Sequence, residues 1–141
     1  MNKLLPDGKR VLSEIVAGKG ASINGMYILY GPTDMDTAPI LSLEYIDNLI
    51  ASGKGGYARV PITGSSIDAD GNITFTALMT TADAVGGTIN RSTKVRAAVL
   101  TWMPDALMSN DVFVYSTLMT APVQFVKGAY MTINVKMSIG E

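Results

Sequence analysis

The chain has 141 residues, with 11 Lys and Arg against 12 Asp and Glu, and contains neither histidine nor cysteine. That length suits one domain, which can bury roughly two-thirds of the surface its unfolded chain exposes. The missing cysteine excludes disulfides, thiolate metal ligands and a thiol nucleophile, and the missing histidine removes the usual general base near neutral pH and the commonest transition-metal ligand, so a non-enzymatic protein without cofactor is expected.

Only 16% of residues are charged, 48% are hydrophobic, and the basic residues are scattered from Lys3 to Lys136. A nucleic-acid surface would want clustered positive charge, so none is expected. The apolar surplus must be hidden within the fold or between subunits. The first 20 residues carry Lys3, Asp7, Lys9, Arg10 and Glu14 and have no apolar core of a signal segment, and no run reaches membrane-spanning length. The expectation is a chain soluble in the cell that makes it, unless it leaves as part of a larger particle, and without a membrane partner.

Residues 1–25 read as an N-terminal arm or short helix, ahead of one β domain over 26–141. Val11, Leu12, Ile15 and Val16 are spaced for one helical face that Gly18 and Gly20 would end. The segment is either a small helix packed on the domain or an arm that docks on a partner. Met26–Tyr30 reads as a short buried strand closed by Gly31-Pro32. Leu41, Leu43 and Tyr45 alternate like a strand, whereas Ile46, Leu49 and Ile50 fall at helical spacing, so a strand leading into a turn of helix is expected there. After Gly53, Gly55 and Gly56, Tyr57–Ile62 reads as a strand in which Pro61 favours an edge or an end.

Asp68–Asn72 is a turn leading into the strand Ile73–Met79. A loop over 80–93 precedes Val95–Met103, an almost continuous apolar run expected at the centre of a sandwich and stopped by Pro104. Val112–Thr117 is the next strand and Val123–Phe125 a short one, after which Lys127-Gly128 turns into Met131–Ile139. In that last segment Met131, Ile133, Val135, Met137 and Ile139 alternate with Thr132, Asn134, Lys136 and Ser138, the signature of a half-buried strand. About eight strands at this spacing predict an all-β chain, an antiparallel β-sandwich of jelly-roll type.

Chemistry-bearing candidates are few. Asp68, Asp70 and Asn72 with Gly71 resemble the start of a calcium loop, but the downstream bidentate glutamate is missing and a hairpin turn accounts for the string, so no metal site is assigned. Glu44 and Asp47 make no acid pair, and Asp34 and Asp36 read as loop solvation. Phosphate-loop, nucleophile-elbow and dinucleotide-binding motifs are absent. The tyrosines could form a sugar-stacking platform, yet Tyr30, Tyr45, Tyr57, Tyr115 and Tyr130 fall in or beside predicted strands, where core packing explains them, and Trp102 ends the central strand as a core or interface anchor. Nine methionines are many for this length. Met35, Met103, Leu107 and Met108 sit in loops, either tucked beneath the sandwich or buried against a partner. Together with Leu4, Leu5, Val11 and Leu12 of the N-terminal segment they are the candidate interface residues.

Three stretches resemble small β-sandwich structural proteins of tailed-bacteriophage virions: Leu43–Leu49 followed after a glycine loop by Tyr57–Ile62; the strands Asn72–Ala77 and Val95–Thr101; and Val123–Val135, with its lysine-glycine turn and final alternating strand. The likeness spans residue 41 to the end and rests on strand and turn preferences. It implies a virion component, in first place a capsid decoration or cement protein that bridges neighbouring major capsid subunits as a homodimer or homotrimer. The alternatives are a tail or fibre component that contacts the host surface and a carbohydrate-binding jelly-roll module.

Overall fold

The computed structural model describes residues 2–31, 43–53, 55–86, 94–124 and 130–137. Their order is β1 (Asn2–Leu4), α1 (Pro6–Val16), β2 (Gly25–Gly31), α2 (Leu43–Ser52), β3 (Gly56–Ile67), β4 (Ile73–Met79), β5 (Ala84–Val85), β6 (Lys94–Trp102), β7 (Val112–Gln124) and β8 (Met131–Met137). The strands form one mostly antiparallel, curled sheet in the order β1-β7-β6-β2-β3-β4-β8, with β5 added beside β3.

The curl is made in β3. Its first half pairs with β2 as far as Pro61 opposite Gly25, and its second half pairs with β4 from Ile62 opposite Ala77. Proline has no N–H for a ladder, so Pro61 sits where the strand exchanges one neighbour for the other, and a register shift between Ile62 and Gly64 bends it further. The sheet thereby folds over on itself around one large apolar cluster. Met26, Ile28 and Tyr30 of β2, Ala98 and Leu100 of β6, Phe75, Ala77 and Met79 of β4, and Met131, Ile133, Val135 and Met137 of β8 all point into it. The alternation of β8 is realised as expected, its odd positions buried and its even ones exposed. Ser138 and Ile139 lie outside the described residues.

The other face of β2 and β6 is also covered, which is why β6 reads as continuously apolar. Tyr27, Leu29, Ala97 and Val99 join Phe113, Leu5 and Ile46 of α2 in a second cluster. Here the expected strand-to-helix segment is corrected: from Leu43 onward the chain is helical. The helical spacing of Ile46 and Ile50 prevails because both side chains pack on this second face.

The N-terminal segment is part of the same body. Helix α1 starts at Pro6, whose fixed φ and missing N–H suit the first helical position, and it ends before Gly18 and Gly20, both at positive φ. Gly8 lets it lie against β7: a Cβ there would run into the carbonyl of Val114. A second correction concerns the two strands expected over 112–125. They are one, β7, whose pairing with β6 shifts register between Val95 and Ala97.

Candidate functional site

Register alone brings three polar side chains together on the α2 face. In the β2–β3 ladder Tyr27 lies directly opposite Arg59 and Leu29 opposite Tyr57, so Tyr27, Arg59 and Tyr57 share one face. The two tyrosine rings stack with centroids 5.6 Å apart, and Phe113 meets Tyr27 edge-on at 4.9 Å. The loop from β6 to β7 then carries Asp111 onto the group. Arg59 Nε donates to Asp111 Oδ2 at 2.6 Å and Nη2 to Oδ1 at 2.7 Å, while the Tyr27 hydroxyl donates to Oδ2. The Asp111 side chain is fully buried and that of Arg59 is 23% exposed.

The electrostatics follow from that geometry. Burial, then the bond to Asp111, pushes the Tyr27 phenol far above its ordinary value. The hydrogen bonds to Asp111 raise Arg59 against the opposing effect of its burial. Tyr57 is raised by burial and by the Asp47 carboxylate of α2. Both oxygens of the Asp111 carboxylate are engaged, Oδ1 by Arg59 and Oδ2 by Arg59 and Tyr27. The arrangement anchors a loop.

That loop, residues 103–111, is tied along its length. The Asn24 side chain clasps Met103, donating from Nδ2 to its carbonyl at 2.9 Å and accepting its N–H at 2.7 Å. Arg59 Nη2 donates to the carbonyl of Asp105 at 3.0 Å. The Asp105 carboxylate accepts the N–H of Leu107 at 2.8 Å and the side-chain amide of Asn110 at 2.9 Å. A 3₁₀ turn over Met108–Asn110 closes it, and the Tyr57 hydroxyl donates to Met108 Sδ at 3.3 Å. Leu107 stands at the crest, 62% exposed.

The candidate interface residues therefore separate. Leu5 and Val11 are buried inside the chain's own clusters, and Leu4 and Leu12 pack against the larger one, so the fold accounts for their apolar character. Met108 packs under the loop against the second cluster, and Met103 lies beside Gly25. Leu107 alone of these seven faces solvent to this degree. Met35 lies outside the described residues, as do Asp34, Asp36 and the Lys127-Gly128 turn. The Asp68 turn is a hairpin: Oδ1 accepts the N–H groups of Asp70 and Asn72, and Oδ2 faces Lys136 Nζ at 3.5 Å. Among the described residues no group of three or more carboxylates is placed to hold a metal ion, and no helix is long and apolar enough to cross a membrane.

Sequence reasoning did not single out Arg59 or Asp111. The only available sign was the parity of Tyr57 and Arg59, opposite to the apolar Ala58 and Val60, and it reads equally well as a solvent face. Compared with known proteins, the chain matches no family model, no curated protein and no solved structure.

Proposed function

We propose that the chain is a non-enzymatic structural protein that acts by docking on another protein, and that the surface it docks on is the shell of a bacteriophage, where it decorates and bridges neighbouring major capsid subunits. One observation carries the docking reading: Leu107, a large apolar side chain, is held in the open at the crest of a loop whose backbone is fixed by Asn24, Arg59, Asp105 and Asn110. An apolar residue on a loop ordered before binding loses little entropy when it enters a partner's pocket, which is how interface anchors gain affinity. The shell as partner rests on the resemblance of residues 41–141 to virion proteins. The curled sheet supports the same reading, since its two halves, continuous through β3, enclose the main cluster as the layers of a jelly-roll sandwich would.

The test is immunogold labelling of virus particles from the source with antibody against the purified chain, heads and tails scored separately, then addition of wild-type and Leu107→Glu protein to shells stripped of it. Gold in a regular pattern over heads, and rebinding lost in Leu107→Glu, is the expected result. Gold confined to tails would move the chain to the adsorption apparatus. Absence of gold from all particles would sink the virion reading, and a Leu107→Glu protein that rebinds like wild type would sink the loop as anchor.

A further inference from the structure

We propose that the chain forms a two-fold dimer by antiparallel pairing of β8 with the β8 of a second copy. Among the described residues the sheet has several open edges, and they differ in kind: β5 is two residues long, and β7 beyond its pairing with β1 at Thr117 contains Pro122 and a register shift against β6. The end strand β1 is three residues long. The second half of β3 is broken by a register shift and by Gly64. Short, bent edges resist pairing. β8 is seven residues long, has no proline or glycine, and keeps unbroken register against β4 from Met131 opposite Met79 to Met137 opposite Ile73. Half of its backbone N–H and C=O groups therefore point away from its single described partner in a straight row, the template that β-augmentation uses.

The sequence of β8 selects a second copy as the occupant. A two-fold axis at Asn134 pairs all seven residues: Asn134 with the partner's Asn134, Ile133 with the partner's Val135, Thr132 with the partner's Lys136, and methionine with methionine at the ends. Apolar residues meet apolar ones on the core side, and polar meet polar on the outer side, as antiparallel partners must share a face. A shift by one residue would set the apolar row against the polar one. Lys136 is the only charge on the strand, and this register sets it against a threonine, four positions from the partner's Lys136, about 13 Å along the strand and beyond the screening length near physiological salt. A strand that carries one charge and opposes it to a neutral residue is complementary to itself. Such pairing needs no other protein, and β8 is the strand through which two copies join.

The chain has no cysteine, so single introduced thiols report the register directly. Asn134→Cys, Thr132→Cys and Lys136→Cys all fall on exposed positions of β8. With a short bifunctional thiol reagent, Asn134→Cys should give a covalent dimer, neither other variant alone should, and a mixture of Thr132→Cys with Lys136→Cys should. In light scattering the wild type should dimerise. Thr132→Lys, which sets two lysine pairs opposite each other, should weaken the dimer roughly two- to thirty-fold, and Thr132→Asp should tighten it. A wild-type monomer at every concentration, an Asn134→Cys protein whose thiol reacts with the reagent but does not crosslink, equal crosslinking at all three positions, or a dimer indifferent to both Thr132 variants would each overturn the proposal.

Discussion

Arg59 and Asp111, 52 positions apart in sequence, form a bidentate ion pair with contacts of 2.6 and 2.7 Å, and the carboxylate side of it is completely buried. Such a pair resists loss of one partner far more than loss of both, because the survivor is left as an uncompensated charge out of water. Arg59→Met should cost about 3 to 5 kcal/mol. Asp111→Leu should cost less, about 1 to 3 kcal/mol, since the partly exposed guanidinium regains solvent. The double variant should be clearly less destabilised than the two losses added. Urea unfolding of the four proteins gives the coupling, and strict additivity would show that the two residues act independently.

The close approach of α1 to β7 makes a second prediction with an unusual sign. Alanine inside a helix is ordinarily about 0.5 to 1 kcal/mol better than glycine. At Gly8, however, the added methyl meets the Val114 carbonyl, and backbone cannot step aside as a side chain can. Gly8→Ala should therefore lower stability by about 1 to 3 kcal/mol, the range of overpacked cores. A thermal midpoint equal to or above wild type would mean that α1 does not lie as close as it does here.

How far these features could be read in advance depends on the range of the interactions behind them. β4 and β8 were legible to the residue where described, because alternation and the Asp68 turn are local signals. β6 was legible as a strand covered on both faces because its run is almost continuously apolar. α2 was half legible: its helical spacing competed with an alternating start, and only the presence of an apolar face on β2 and β6 to receive Ile46 decides between them. The division of β3 between two neighbours was visible only as Pro61. The Arg59–Asp111 pair was invisible, since it depends on which strands stand next to each other, and nothing local to either residue records that.

The loop over 103–111 should be stiff because of its ties, and removing them should loosen it alone. Asn24→Ala deletes both bonds to Met103, each worth about 1 kcal/mol. Amide hydrogen exchange at Leu107, Asn110 and Asp111 should then quicken roughly tenfold or more, while β6 and β8 change by less. If exchange rises evenly over the whole chain, Asn24 supports global stability and the loop is not separately ordered.

Alkaline pH should unfold the protein sooner than a chain with ordinary tyrosines. Burial lifts the Tyr30 phenol to about 12, and Tyr27 and Tyr57 are shifted the same way. In the unfolded chain a tyrosine titrates near 10, so between there and about 12 the unfolded state has released protons that the native state still holds. With fewer protons bound by the unfolded form, stability falls as pH rises. Tyr30 alone then costs roughly 2 to 3 kcal/mol of stability, lost progressively as pH climbs from the unfolded value through the native one. Tyr30→Phe should be less stable than wild type at neutral pH, since Gly86 loses the phenol that donates to its carbonyl, yet its stability should decline less steeply above pH ~10. Denaturant midpoints measured from neutral to strongly alkaline pH, with tyrosinate absorbance followed in parallel, would show this. Parallel pH curves for the two proteins would mean that Tyr30 titrates alike folded and unfolded, and that its hydroxyl is not held in the interior as the structure has it.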